Sequence, residues 1–184
     1  TNIKVRGNNR PGIDYYATPE PVGQKMVEWA MLKAGQSAME PSAGHGAIAM
    51  WLPNTVSVTA IEPSFELYSR LPARVQGARK KILNQRFEDF SIVNKVDAVV
   101  MNPPFGTSGK TAMEHIEKAY KHLHDGGRLI AIVPDGAAMQ KRLDHFFGYD
   151  GNKKITPGAY LRAEVMLPSV AFQQAGTSVR TKII

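Results

Sequence analysis

The chain has 184 residues, of which 43% are hydrophobic and 21% charged, and this composition is typical of one folded domain. It contains no cysteine, which excludes disulfides, thiolate metal sites and cysteine nucleophiles. No apolar run approaches the ~20 residues of a membrane-spanning helix and the N-terminus lacks a signal-peptide stretch, so we predict a cytoplasmic protein without a membrane partner.

Basic residues outnumber acidic ones, giving a formal net charge of +7 and a pI near 9.7. This excess favours a polyanionic partner such as nucleic acid, with charge that serves only solubility as the alternative. Six cations fall in one stretch, which we term the central basic cluster: Arg70, Arg74, Arg79, Lys80, Lys81 and Arg86. Smaller groups occur at Lys141–Arg142 and Lys153–Lys154, and this clustering strengthens the nucleic-acid interpretation.

The N-terminal third begins with an arm and a helix. Residues 1–15 show no periodicity and are predicted to be an arm. A helix is predicted to follow, with Thr18 as N-cap, Pro19 in the first helical position and Gly35 as its stop. Val22, Met26, Trp29 and Ala30 share one face of this helix.

Short apolar strands then alternate with helices to the C-terminus. The predicted strands are 37–40, 55–62, 80–83, 96–102, 128–134, 163–169 and 179–184. The predicted helices are 47–52, 64–71, 112–123 and 136–147, the last followed by a Gly- and Lys-rich connection through Gly158. This alternation predicts an open α/β sheet with mostly parallel strands.

Four predicted strands are each followed by a distinctive segment. In chain order these are EPSAGHGAIA, EPS, FEDF and NPPF, which begin at Glu40, Glu62, Phe87 and Asn102. Ligands of open α/β sheets bind across the carboxyl ends of the strands. We therefore expect these segments to form one pocket.

We term these four segments the strand exits. The first two exits are typical of a nucleoside cofactor site. Gly44-x-Gly46-x-x-Ala49 resembles a dinucleotide fingerprint, because glycines admit a close backbone approach ahead of a helix, although a tight structural turn explains it equally well. Glu62 ends the next strand, where its carboxylate either accepts hydrogen bonds from ribose hydroxyls or caps the following helix.

The third exit completes the match to an adenosine-bearing cofactor. Asp89 is placed to accept from an adenine amino group while Phe87 or Phe90 packs on the ring. The alternative is a loop with one buried aromatic residue and solvated acids.

The fourth exit is suited to holding an amine. Asn102 offers a side-chain carbonyl, and Pro103 and Pro104 have no N–H, so the backbone there presents only acceptors in a stiff geometry. Phe105 offers a flat face on which a planar base can stack. Such a loop favours attack by an exocyclic amine on a sulfonium methyl group.

In this order the segments TPEP, EPSAGHG, AIEPS, FEDF and NPPF resemble those of the S-adenosylmethionine-dependent N6-adenine DNA methyltransferases. The tail LPSVAFQQAGTSVRTKII is similar to the last two strands of bacterial and phage enzymes of this type. The resemblance covers the chain from Tyr16 onward and implies a Rossmann-like class I methyltransferase fold: a mostly parallel seven-stranded sheet with helices on both faces.

The resemblance also implies roles for individual residues. The implied catalytic residues are Asn102, Pro103, Pro104 and Phe105, and those for the target are Phe105, Lys110 and Phe172. The implied S-adenosylmethionine ligands are Tyr16, Thr18, Pro19, Glu40, Pro41, Ser42, Ala43, Gly44, Gly46, Glu62, Pro63, Glu88, Asp89, Phe90 and Asn102. No metal is implied.

Two features depart from this family's pattern. His45 stands where the family has a small residue or threonine. In addition, residues 16–184 form the predicted methyltransferase domain with no separate target-recognition domain after it, so site choice would need the arm, a partner or further protein.

We predict methylation of the N6 amine of adenine in DNA. The alternatives are adenine in RNA, a protein glutamine amide, and a catalytically idle binding module.

Overall fold

A computed structural model describes residues 17–91, 94–168, 172 and 179–184. Its strands are β1 Ser37–Glu40, β2 Ser57–Ile61, β3 Arg79–Leu83, β4 Val96–Met101, β5 Leu123–Pro134, β6 Tyr149–Asp150, β7 Lys153–Lys154, β8 Val165–Met166 and β9 Thr181–Ile183. Its α-helices are α1 Glu20–Ala30, α2 Phe65–Tyr68, α3 Leu71–Arg74, α4 Lys110–Lys121 and α5 Ala137–Phe147. The predicted arm and Tyr16 lie outside the described residues.

Seven strands form one sheet in the order β3-β2-β1-β4-β5-β9-β8. The first five are parallel, and β9 pairs antiparallel with both β5 and β8. The chain moves outward from β1 to β3, then returns to pair β4 with the other side of β1. The strand order therefore reverses between β1 and β4, the place where open α/β sheets bind their ligands.

Each face of the sheet carries its own hydrophobic core. Ala38 and Val100 belong to one core, which includes α1 and α3 residues, whereas the adjacent Met39 and Val99 belong to the other, which includes α4 and α5 residues. Successive strand side chains point to opposite faces, so central strands with helices on both sides must be apolar throughout. The predicted mostly parallel sheet with helices on both faces is confirmed.

Several predicted boundaries are wrong. The first helix begins at Glu20 with no side-chain cap, so Thr18 is not its N-cap, and it ends where Met31 adopts a left-handed φ of 51° rather than at Gly35. Residues 47–52 contain only a 3₁₀ turn, Ala49–Trp51. The predicted helix 64–71 is divided into α2 and α3, and the Gly- and Lys-rich connection contains the β6–β7 hairpin.

Among the described residues, none of the helices is both long enough and apolar enough to cross a bilayer.

Candidate functional site

The glycine loop after β1 is attached to the exit of β2. The Ala43 N–H donates to the Ile61 carbonyl at 2.9 Å, and Gly44 and Gly46 adopt positive φ values of 55° and 87°. Helix α1 packs directly on this loop, because a Cβ at Gly23 would lie 2.6 Å from the Ala47 carbonyl oxygen. The predicted loop Pro41–Gly46 therefore lies between α1 and the sheet edge.

Glu62 connects the first two strand exits. One oxygen of its buried carboxylate accepts from the Gly44 N–H at 2.8 Å, and the other accepts from the Ser64 N–H at 2.7 Å. Burial raises the pKa of Glu62, and these two backbone hydrogen bonds oppose the rise. The bond to Ser64 stabilises the turn before α2, and the bond to Gly44 orients the glycine loop. Glu62 thus holds the glycine loop whether or not it also binds a ribose.

Glu40 is a second carboxylate beneath the same loop. Its side chain is 1% exposed, and its Oε2 atom makes no hydrogen bond to any described residue. Burial raises the pKa of Glu40 well above its ordinary value; a hydrogen bond from the Ala49 backbone opposes this rise and the nearby Glu62 charge adds to it. A buried acceptor without a partner is costly, and a cationic group in the pocket would satisfy it.

The loop after β4 faces α1 across the same edge. Asn102 Nδ2 donates to Thr18 Oγ1 at 3.1 Å, although the two residues are 84 positions apart in the chain. Thr18 is buried, Asn102 is half-buried, and Pro103 is buried behind it. The hydroxyl of Thr18 therefore orients the Asn102 amide, which is a different role from the predicted N-cap.

A small cavity of about 290 Å³ lies beyond the fourth exit, and we term it the target-side pocket. It is lined by Phe105, Gly106, Ser108, Gly109, Pro134, Gly136, Ala138, Met139 and Val179. The lining is mostly apolar, and Phe105 brings the predicted stacking face into it. Phe172 instead is 3% exposed within the α1-side core, against which Phe105 also packs.

The third exit divides into a buried and an exposed part. The Phe87 ring is 2% exposed and contacts the rings of His115 and His122, so it is a core residue. Phe90 stacks on His122 with ring centroids 6.0 Å apart. The acids of this exit, Glu88 and Asp89, are exposed beside it.

Two features of the site are absent from the sequence predictions. Asn84 Nδ2 donates to the Glu62 and Pro63 carbonyls at 2.9 and 3.0 Å, joining the second and third exits. Asp135 follows β5 and forms an ion pair with Arg180 at 3.4 Å. Asn84 and Asp135 each come directly after a strand, and this position was the available signal. Within the described ranges, no group of three or more His, Asp or Glu side chains could hold a metal ion.

The methyltransferase small domain family matches residues 26–157, more than half of the chain. A tRNA (guanine(10)-N2)-dimethyltransferase of Methanothermobacter thermautotrophicus is 24% identical over 162 residues, covering 78% of this chain and 46% of that relative. The chain thus spans about half the length of the curated relative it matches.

Solved structures show the same fold. A Listeria monocytogenes protein assigned as a class I S-adenosylmethionine-dependent methyltransferase superposes with a TM-score of 0.72 and 17% identity, covering 97% of this chain and 62% of that one. The methyltransferase subunit of a type I restriction-modification system from Streptococcus thermophilus superposes with a TM-score of 0.68 and 20% identity. The match covers 92% of this chain and 44% of that one. The predicted class I methyltransferase fold is confirmed, and S-adenosylmethionine is its cofactor.

Proposed function

The chain belongs to the methyltransferase small domain family, and from this we propose that it transfers a methyl group from S-adenosylmethionine to the exocyclic N6 amine of adenine in DNA. The observation that carries the proposal is the Asn102 amide, held by Thr18 at 3.1 Å beside a loop of two prolines and the half-buried Phe105.

The residues around the glycine loop fit the cofactor. The unpartnered Oε2 of Glu40 is a buried acceptor that suits the ammonium group of the cofactor. Glu62 lies at the exit of β2, where its carboxylate would accept hydrogen bonds from the ribose hydroxyls. Asp89 and Phe90 would contact the adenine, and Tyr16, Thr18 and Pro19 the methionine portion. When bound, the cofactor supplies an electrophilic methyl group on a sulfonium sulfur.

The chain's own residues would position the nucleophile. The side-chain carbonyl of Asn102 and the backbone carbonyl of Pro103 accept the two hydrogens of the target amine, and Pro104 stiffens the loop. This grip withdraws the amine lone pair from conjugation with the ring. A strong general base would be unnecessary, because the amine becomes cationic as its N–C bond forms and the methyl–sulfur bond breaks, and its extra proton can then pass to water. Phe105 stacks against the base.

A DNA substrate is supported by the net charge of +7 and by the similarity to a restriction-modification methyltransferase subunit. A duplex base would have to leave the helix stack to reach the loop, at a cost of a few kcal/mol. RNA is the second candidate, and its support is the tRNA methyltransferase relative.

The test is transfer of a labelled methyl group to duplex DNA, single-stranded DNA, RNA and protein, followed by identification of the methylated nucleoside or residue. We expect N6-methyladenine in DNA. Label found only in RNA, on guanine or on protein would overturn the assignment, and cofactor binding without transfer to any substrate would indicate an idle module.

The matched variants are Asn102→Ala and Asn54→Ala. Asn54 is exposed just before β2 begins, on the side of the sheet opposite the carboxyl ends of the parallel strands. Asn102→Ala should lower the transfer rate by about 100-fold or more while cofactor affinity is retained, and Asn54→Ala should change neither. Full activity in Asn102→Ala would refute the role of the amide.

A further inference from the structure

Three cations adjoin residues that line the target-side pocket, either as chain neighbours or one helical turn away. We propose that Arg142 and Arg180, with Lys110, bind the phosphodiester groups that flank the target nucleotide. The inference rests on the proposed function, since it takes the pocket as the place that receives the base. It assigns nucleic-acid binding to this rim rather than to the central basic cluster.

Arg180 reaches the rim from the strand side. It directly follows Val179, which lines the pocket, and its side chain is 69% exposed. Its guanidinium lies 3.4 Å from the carboxylate of Asp135, which stands between the lining residues Pro134 and Gly136. The Asp135 N–H also donates to the Arg180 carbonyl at 2.7 Å. Arg180 is thus held in place beside the pocket with most of its side chain in solvent.

Arg142 reaches the rim from α5. It lies one helical turn beyond the lining residue Ala138, and residues four apart share a helix face. Its Nε donates to the carbonyl of Ser108, another lining residue, at 3.3 Å. Within the described residues Arg142 forms no ion pair. Its charge is therefore not neutralised by a neighbouring carboxylate there.

Lys110 completes the rim at the start of α4. It follows the lining residue Gly109, and its ammonium lies 3.8 Å from Glu114 with both side chains mostly exposed. Exposed pairs of this kind contribute little energy, so a phosphate can replace the carboxylate at small cost. In the pair of Arg180 and Asp135 the carboxylate is 22% exposed, so it holds the guanidinium at the rim and competes there with a phosphate.

The arrangement matches the chemistry of one nucleotide. A base is flat and mostly apolar on its faces, which suits the lining of Phe105, Pro134 and Met139. Its phosphates are anionic and must stay outside such a lining, where the three cations lie. Arginine is well suited to this task because its planar guanidinium can bind a phosphate through two hydrogen bonds.

The test is binding of a fluorescein-labelled mixed-sequence oligonucleotide, measured by fluorescence anisotropy at several salt concentrations. DNA and RNA arms of the same sequence distinguish the two sources of phosphodiester. Arg142→Gln and Arg180→Gln should each weaken binding about tenfold at physiological salt. Each should also lower the salt slope by about 0.7 to 0.9, the contribution of one phosphate contact.

Arg128→Gln is the matched control. Arg128 is exposed on β5, toward the amino-terminal side of the sheet, whereas the carboxyl end of the same strand reaches the pocket. The Arg128→Gln variant loses the same charge as the rim variants but away from the pocket. Its affinity and salt slope should therefore stay near the wild-type values. Equal effects of Arg128→Gln and Arg180→Gln would overturn the proposal.

Asp135→Asn separates phosphate binding from a purely structural ion pair. If Arg180 binds phosphate, removing the competing carboxylate should leave binding unchanged or tighter, and Arg180→Lys should keep the salt slope. If the pair only stabilises the fold, Asp135→Asn should weaken binding as much as Arg180→Gln, and the proposal fails. Because binding is read without methyl transfer, a wild-type protein that binds through the rim but methylates nothing would refute only the proposed function.

Discussion

The two halves of the site are built differently. The cofactor half, after β1 and β2, is closed by buried carboxylates and backbone hydrogen bonds, with Glu40 1% and Glu62 5% exposed. The target half, after β4 and β5, is an apolar pocket with exposed cations around it. Under the proposed function the first half would hold one small ligand, whereas the long, solvated cations of the second would contact a large polyanion.

This difference gives opposite expectations for substitutions. A change in the cofactor half should alter cofactor affinity and folding stability together, because the same buried groups serve both. A change in the target half should alter polynucleotide binding and its salt dependence while leaving stability nearly unchanged. Variants that do not separate in this way would contradict the division.

We expect the largest effect from Glu62→Gln. An amide has only one acceptor oxygen, so its NH₂ group would face either the Gly44 or the Ser64 N–H, and a buried donor would lose its partner. Cofactor affinity should fall about 100-fold by titration calorimetry, and unfolding stability by about 1–3 kcal/mol.

Glu66→Gln is the control for that loss. Glu66 is exposed on α2 and pairs with Arg70 at 3.0 Å, so its removal should cost less than about 1 kcal/mol and no cofactor affinity. If both variants lose the same amount, the two hydrogen bonds of Glu62 do not organise the loop.

Glu40→Gln should also alter both affinity and stability, but in opposite directions. Burial raises the pKa of Glu40, so the unfolded chain releases this proton first as pH rises above the ordinary carboxyl range, and the fold loses stability. The neutral amide removes this penalty, and the variant should be at least as stable as the wild type at neutral pH.

Cofactor binding should respond in the opposite direction. A cationic ligand favours ionised Glu40, so wild-type affinity should decrease as pH falls through the raised pKa, by up to about tenfold per pH unit. Glu40→Gln should bind about tenfold more weakly at the alkaline end and lose most of this dependence. A variant with wild-type affinity and pH profile would show that Glu40 does not contact the ligand.

The strand exits were predictable because they depend on local patterns. Apolar strands, prolines and glycines are visible in the sequence, and a parallel sheet brings their carboxyl ends to one edge. The contacts between exits were not predictable, since Thr18 and Asn102 meet only through the packing of α1 on the glycine loop. For FEDF the sequence offered a buried aromatic residue beside solvated acids as one alternative, which Phe87 fits, but its contacts with His115 and His122 depend on where α4 lies.

A moderate effect is expected from pH at those histidines. His115 is buried beside Phe87, with Glu88 3.4 Å from its Nε2; burial lowers its pKa and Glu88 opposes this. The unfolded chain therefore takes up a proton first as pH falls below the ordinary histidine value, and stability should decrease by about 1 kcal/mol. Urea unfolding at neutral and mildly acidic pH measures this loss.

His115→Gln should reduce that acid sensitivity, whereas His145→Gln should not, because His145 is exposed on α5. An unchanged sensitivity in His115→Gln would assign the effect to other groups, of which His122 and His45 are the buried or half-buried candidates.

The smallest effect should come from the central basic cluster. Arg70, Arg74 and Arg86 lie within 4 Å of Glu66, Glu20 and Glu88, respectively. Lys80 donates to the Val75 carbonyl at 3.1 Å. Arg79 and Lys81 lie on β3, the sheet's edge strand, where cations prevent pairing with other chains. Most of this cluster thus interacts with the protein itself.

The double variant Arg70→Gln/Arg79→Gln removes as much charge as Arg142→Gln/Arg180→Gln. Charges farther than about 8 Å from a ligand are largely screened at physiological salt, so the cluster variant should weaken oligonucleotide binding less than about twofold. The rim variant should weaken it by far more. If the two double variants bind equally weakly, the nucleic acid also crosses the β3 edge, and the separation of a polyanion-binding target half from the rest of the surface fails.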